Sequence, residues 1–194
     1  MLADGEIDVM PGMWVRPYWF SKLRLSSPYF IGTVGLVVRD ERRREFSEID
    51  TLRRRPDLAI GVPLDSTQLA VSLRRYFNPD VKLVSFESPG AFFASGRTDV
   101  DAFLMPAESA AAFTLLHPEM SVVVPQPNPV KLPYAFGVGL REQDLADAIN
   151  EWIVFADSES AVSRANDYWI LGRGAQITAP RWSILRDVLG WGPP

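Results

Sequence analysis

The chain has 194 residues, 47% of them hydrophobic, enough to bury the core of one large domain or of two small lobes. Its net charge of −4 argues against a nucleic-acid partner, because phosphates are gripped by clustered Lys and Arg. The absence of cysteine excludes a disulfide scaffold and a thiolate metal site, and the single histidine, His117 before Pro118, leaves little scope for imidazole chemistry.

Glu6 to Met10 reads as a short strand ending at Pro11-Gly12, with an aromatic, proline-containing loop from Met13 to Phe20 behind it. Gly32 to Arg39 is a continuous apolar run, as expected of a strand buried on both faces. The charged stretch that follows, Asp40 to Arg55, mixes both signs and reads as a solvated linker, with a helix from Ser47 to Arg54 capped by Ser47. Leu58 to Pro63 is a second apolar strand. Leu69, Leu73, Tyr76 and Phe77 then recur on one helical face until Asn78-Pro79-Asp80. Strands over Val81–Phe86, Val100–Met105 and Ser121–Val124 alternate with helical stretches at Phe92-Phe93, closed by Gly96, and at Glu108–Leu116. This rhythm predicts an α/β layer with mostly parallel strands.

Pro125, Pro127, Pro129 and Pro133 stiffen a crossing segment into another apolar strand, Tyr134 to Leu140. Asp144 to Glu159 is an amphipathic helix whose stripe holds Leu145, Ala148, Ile149, Trp152 and Phe155, and further helices follow from Ser160 and around Trp182 to Trp191. The α/β layer is thus bracketed by two long apolar strands, a hinge pattern in which an inserted lobe closes over a ligand. No run approaches the ~20 apolar residues needed to span a bilayer. The start, Met1-Leu2-Ala3-Asp4-Gly5-Glu6, lacks the basic and apolar regions of a signal peptide.

Several stretches in order, Leu2-Ala3-Asp4-Gly5-Glu6-Ile7-Asp8-Val9-Met10, Leu25-Ser26-Ser27-Pro28-Tyr29-Phe30, Gly35-Leu36-Val37-Val38-Arg39, Ile60-Gly61-Val62, Ser66-Thr67 and Gly96-Arg97-Thr98-Asp99-Val100-Asp101-Ala102, resemble family 3 of the bacterial extracellular solute-binding proteins. Asp8 to Trp14, Ala102 to Glu108 and the ending Pro180 to Gly192 are similar to a subgroup fused behind a cation:dicarboxylate symporter. The resemblance implies a periplasmic-binding-protein type 2 fold: two lobes joined by two hinge strands, the first lobe truncated at its N-terminus. Residues 1–38 would be the remnant of lobe 1 with the first hinge strand. Residues 39–133 would be the complete inserted lobe 2, and residues 134–194 the second hinge strand with helices packing on lobe 1. It further implies a periplasmic or extracytoplasmic, membrane-tethered receptor without a cofactor. Its partners would be a small-molecule ligand and a membrane transporter, in the same polypeptide or separate, and an incomplete lobe is expected to self-associate.

Candidate ligand contacts fall in three places. Asp65-Ser66-Thr67-Gln68 opens a helix, whose free N–H groups favour a carboxylate; ordinary N-capping is the other reading, and the resemblance implies a carboxylate contact here. In the Met10 to Phe20 loop, amino-acid-binding members carry an Arg where this chain has Trp19 or Phe20. Arg16 lies nearby as a bidentate substitute, Trp14, Tyr18 and Trp19 would wall the ligand or form lobe core, and Tyr29 completes this side. After the strand at Ala102, such members place an Asp for the ligand's ammonium; here Pro106 stands there, leaving Met105 and Glu108 as the contacts and an organic acid as an alternative to an amino acid. Three functions are carried forward: a non-catalytic receptor for a carboxylate-bearing solute, an interaction domain that binds nothing, and a dehydratase-like enzyme using Glu87, Asp101 or Glu108.

Overall fold

In the computed structural model residues 2, 5–64, 70, 71, 74, 76, 77, 79–96, 99–170 and 173 are described. The chain divides into two compact units, residues 1–162 and 163–194. In the first, strands β1 (Val9–Trp14), β2 (Leu23–Leu25), β3 (Phe30–Arg39), β4 (Ala59–Pro63), β5 (Lys82–Phe86), β6 (Ala102–Pro106), β7 (Met120–Val123) and β8 (Lys131–Gly139) form one sheet. Its order is β1-β8-β3-β6-β4-β5, with β2 also on β8 and β7 also on β3. Helices α1 (Ile49–Arg53), α2 (Pro89–Ser95), α3 (Ala107–Thr114) and α4 (Gln143–Ser158) accompany it; Ala70, Val71, Arg74, Tyr76 and Phe77 are also helical. In the second unit Arg173 pairs with Asp167 at 3.3 Å.

The two long apolar strands lie side by side. β3 runs antiparallel to β8 over Phe30 to Thr33, with Phe30 opposite Tyr134 and Thr33 opposite Lys131. Beyond that point β3 takes new partners, β6 from Val34 to Val37 and β7 from Leu36 to Arg39. The strands between the two in sequence, β4 to β7, therefore continue the sheet from the far half of β3, while β1 and β2 pair with β8.

The far half is buried on both faces because β3 and β6 carry apolar residues at consecutive positions. Val34, Leu36, Val38, Ala102 and Leu104 face a core with Phe46, Ile49, Leu52, Ile60 and Phe77. Val37, Phe103 and Met105 face the opposite core with Phe86, Phe92 and Ala110. Such two-faced burial explains an unbroken apolar run where a one-sided strand would alternate. At Gly61 an added Cβ would lie 2.8 Å from the Phe86 ring and 2.9 Å from the Phe103 ring, so the close seating of those rings needs glycine.

Four local expectations change. The first strand begins at Val9 rather than Glu6 and passes through Pro11-Gly12, where the register with β8 shifts between Met10 and Met13 and Gly12 takes φ 74. A bulge absorbs the break that Pro-Gly would otherwise impose. The charged stretch opens as a 3₁₀ helix, Asp40–Phe46. Ser47 closes it, donating its hydroxyl to the Arg44 carbonyl instead of capping α1, which starts behind Glu48. The inserted layer is parallel only for β4 with β5 and β6; β3 runs antiparallel to β6 and β7 in its midst. The stripe of α4 is only partly covered, since Trp152 is 52% and Phe155 63% exposed.

Gly96 does close α2, with φ 56, and Ser88 caps its start by accepting the Ala91 N–H at 3.1 Å. The loop into β6 is held by Asp101. Its Oδ1 accepts from Arg42 at 3.1 Å and Arg55 at 2.8 Å, and its Oδ2 accepts the Ala59 N–H at 3.0 Å.

Candidate functional site

The change of partners along β3 leaves a cleft of about 360 Å³ where β1, the end of β6 and the start of β8 meet, lined by Trp14, Arg16, Trp19, Pro106, Ser109 and Tyr134 among others. Trp14 arrives at the end of β1, opposite Tyr134 of β8, and the two rings meet edge to face at 6.1 Å. Trp19 ends the 3₁₀ turn Pro17–Trp19, which Pro17 starts because proline is preorganised for a first helical position and lacks only an N–H that would be free anyway. This turn folds the chain back so that Trp14 and Trp19 flank the residue between them.

That residue is Arg16. Its guanidinium carbon lies 5.4 Å from the Trp14 ring centre and 5.8 Å from that of Trp19, within cation–π range of both. The side chain is half-buried, and its Nε is shielded from solvent without a hydrogen-bond partner. Among the described residues Arg16 forms no ion pair. A guanidinium held by two aromatic faces keeps its N–H fork available for a carboxylate, the geometry it matches best.

Tyr134 forms the wall between the two halves of the sheet. Burial pushes its phenol up to about 12, against the indole N–H of Trp14, which favours the phenolate, while the Glu108 carboxylate adds to the rise. It is therefore a neutral hydroxyl at any physiological pH. The ring rests on Gly32, where an added Cβ would come within 2.5 Å of a ring carbon. Pro106 and Ser109 come from the end of β6 and the first turn of α3, so the far wall offers a hydroxyl and no charge.

The ten residues singled out from the sequence separate into five groups. Trp14, Arg16 and Trp19 converge on the cleft. Tyr29 stands behind its floor: its ring packs on Phe136 at 4.5 Å and its hydroxyl accepts the Gly12 N–H at 3.1 Å. Met105 is 4% exposed and belongs to the core with Phe92 and Phe103, because alternation along β6 points it away from the side that Leu104 faces. The Glu108 carboxylate accepts the Thr33 N–H, at 3.0 and 3.3 Å from its two oxygens. Asp65, Ser66, Thr67 and Gln68 lie outside the described residues. Pro106 lines the cleft from the third of the stretches expected to meet ligand, whereas Tyr134 and Ser109 were not anticipated. The one sequence signal for Tyr134 is its place as the first aromatic after the proline-rich crossing.

Among the described residues no helix is long and apolar enough to cross a membrane, and no group of His, Asp and Glu is arranged to hold a metal ion. No protein-family model and no curated protein sequence matches the chain. Solved structures do. An ancestral amino acid-binding protein, AncCDT-1, described as a precursor of cyclohexadienyl dehydratase, is 22% identical with a TM-score of 0.68, over 87% of this chain and 71% of that one. The substrate-binding protein of an amino acid ABC transporter from Streptococcus pneumoniae, bound to L-arginine, is 17% identical with a TM-score of 0.69, over 84% and 68%. A putative binding component of an ABC transporter from Wolinella succinogenes, complexed with lysine, is 15% identical with a TM-score of 0.72, over 88% and 72%. The chain thus has the mixed α/β fold of two-lobed periplasmic binding proteins.

Proposed function

We propose that this chain is a non-catalytic receptor for a small organic solute bearing a carboxylate, bound in the cleft between its two lobes. The observation that carries this reading is Arg16: a cation held between Trp14 and Trp19, with a shielded Nε and no ion pair among the described residues. Keeping a guanidinium half-buried and unpaired costs free energy in the empty state. A ligand carboxylate offsets that cost by supplying the missing acceptors. Trp14, Trp19 and Tyr134 would enclose the apolar body of the ligand, Ser109 would meet a polar group on it, and Glu108 would take an ammonium if there is one. The stretch Asp65-Ser66-Thr67-Gln68 is assigned a further contact from lobe 2, taken as residues 39–133. Proteins of this fold that bind arginine and lysine support an amino acid as one class of ligand; Pro106 in place of an acidic residue supports an organic acid as another.

In this reading the receptor works outside the cytoplasm with a membrane transporter, in the same polypeptide or separate. A dehydratase-like activity is the second reading, favoured only by the precursor relationship of one protein of the same fold. Titration calorimetry with L-arginine, L-lysine, L-glutamate and succinate tests both. At least one ligand should bind, and Arg16→Ala should weaken it about tenfold to a hundredfold, the worth of a charge-assisted pair. Arg43→Ala, which removes an exposed partner of Asp40, should leave affinity unchanged. Heat from none of the four would refute the receptor reading, and steady product formation would favour the enzyme.

A further inference from the structure

Glu108 stands in the first turn of α3, yet its carboxylate reaches out of that helix to the backbone of β3. The amide it holds belongs to Thr33, the last residue of β3 opposite β8 and the one before the register with β6 begins at Val34. On the β6 side the ladder stops at the Val34–Pro106 pair, because the chain turns into α3 at Ala107. The Thr33 N–H therefore takes its acceptor from a side chain, not from a neighbouring strand. The same residue is gripped from β8, since Lys131 Nζ donates to Thr33 Oγ1 at 2.9 Å. Glycines flank it. A Cβ on Gly35 would lie 3.1 Å from the Cα and Cβ of Ala107, so α3 seats closely against this segment because Gly35 is bare, while one on Gly32 would meet the Tyr134 ring at 2.5 Å and Glu108 Oε2 only at ordinary contact distance.

From this geometry we infer that Glu108 is a positioning residue, a clasp that fixes lobe 2 to the connecting strand at the pivot Gly32–Gly35 and thereby sets how far the cleft opens. The inference rests on the two-lobe cleft of the proposed function but requires no ligand to be known. Two lobes meeting through a pair of strands can change their angle only by small backbone rotations where those strands change partners. A carboxylate accepting an N–H there, from the first turn of the helix that supplies Pro106 and Ser109 to the cleft, removes much of that freedom.

The chain has no cysteine, so two introduced ones can be labelled uniquely. Spin labels at Ser21→Cys, in the exposed turn before β2, and Glu87→Cys, exposed after β5, report the distance between the lobes without ligand. The unaltered clasp should give one narrow distance distribution. Glu108→Ala should broaden it and raise hydrogen exchange at the Thr33 amide at least about tenfold, as expected for local opening without global unfolding. Glu108→Gln, which keeps an acceptor oxygen, should stay narrow. Glu108→Asp, a methylene too short to reach, should broaden like Glu108→Ala and serves if the alanine variant does not fold. Unchanged widths in Glu108→Ala or Glu108→Asp, or broadening in Glu108→Gln equal to theirs, would overturn the clasp. Because these readings are taken without ligand, they stand or fall separately from the Arg16 titration.

Discussion

Asp101 offers the sharpest test of how the inserted lobe is held together. Its carboxylate accepts from two guanidinium groups, Arg42 and Arg55, and from the Ala59 N–H, and its own N–H donates to the Ala59 carbonyl at 2.8 Å. It thus clamps the start of β4 to the start of β6 and draws the charged 3₁₀ helix over Phe46, whose ring both guanidiniums also approach. Its side chain is 18% exposed. A hydrogen bond to a charged group contributes about 1.5–3 kcal/mol when buried, and partial solvation reduces each of these to roughly 1 kcal/mol. Asp101→Ala removes three such bonds and leaves Arg42 and Arg55 sharing only the more exposed Glu45 carboxylate, so a loss of about 3 kcal/mol is expected. In a domain of this size that lowers the melting temperature by about 6–12 °C. Urea unfolding followed by tryptophan fluorescence at neutral pH reads it directly. Burial alone would raise the Asp101 pKa, but the Ala59 N–H and the two arginines outweigh burial and hold it below the usual carboxylate range. A depressed folded pKa means that this contribution is complete above about pH 4 and is lost as the pH falls below that. The gap between the parent protein and Asp101→Ala should therefore narrow in acid. A gap under about 0.5 kcal/mol at neutral pH, the range of an ordinary surface substitution, would refute the clamp.

Two further outcomes follow from particular contacts. Gly32→Ala places a Cβ within 2.5 Å of the Tyr134 ring and should cost about 1–3 kcal/mol of stability while displacing the cleft wall; unaltered ligand affinity and melting temperature would show that the ring yields freely. Trp152 and Phe155 leave an apolar face on α4, beside a shallow apolar hollow lined by Val9, Phe136, Ala148, Ile149 and Trp152. We expect the chain to self-associate through this face, and Trp152→Gln with Phe155→Gln should shift sedimentation towards monomer; a parent protein that is monomeric at every concentration would end that reading.

The sequence carried most of what is local and little of what depends on register. Gly32 to Arg39 and Tyr134 to Leu140 announced themselves as buried strands because both are apolar at consecutive positions, and such runs suit only strands buried on both faces or shared between layers. Gly96 at the end of α2 was legible because a left-handed cap favours glycine strongly. Arg16 stood out as the natural carboxylate partner in a stretch of aromatics. The misreadings at Pro11-Gly12, Met105 and Glu108 share one cause, tertiary pairing that overrode a local signal, whereas at Ser47 one local signal overrode another. Pro11-Gly12 is a sound turn signal, yet β8 offers a partner strand on both sides of it, and the chain bulges instead of turning. Ser47 is a sound cap residue, yet the preceding residues already coil as a 3₁₀ helix whose last turn claims its hydroxyl. Met105 and Glu108 look alike from the sequence, two residues at the end of a strand that leads into a helix. Which of them faces the core depends on the alternation of β6 against β3, and the partner of the other depends on the register that brings Thr33 beside α3. Residues 33 and 108 are far apart in sequence, and nothing near either one encodes the pairing. The cleft is thus specified at two levels: its charge by a local arrangement around Arg16, its width by the register of strands brought together from distant parts of the chain. A substitution at Arg16 should therefore alter affinity with the lobe angle unchanged, and one at Glu108 should alter the lobe angle even in the empty protein.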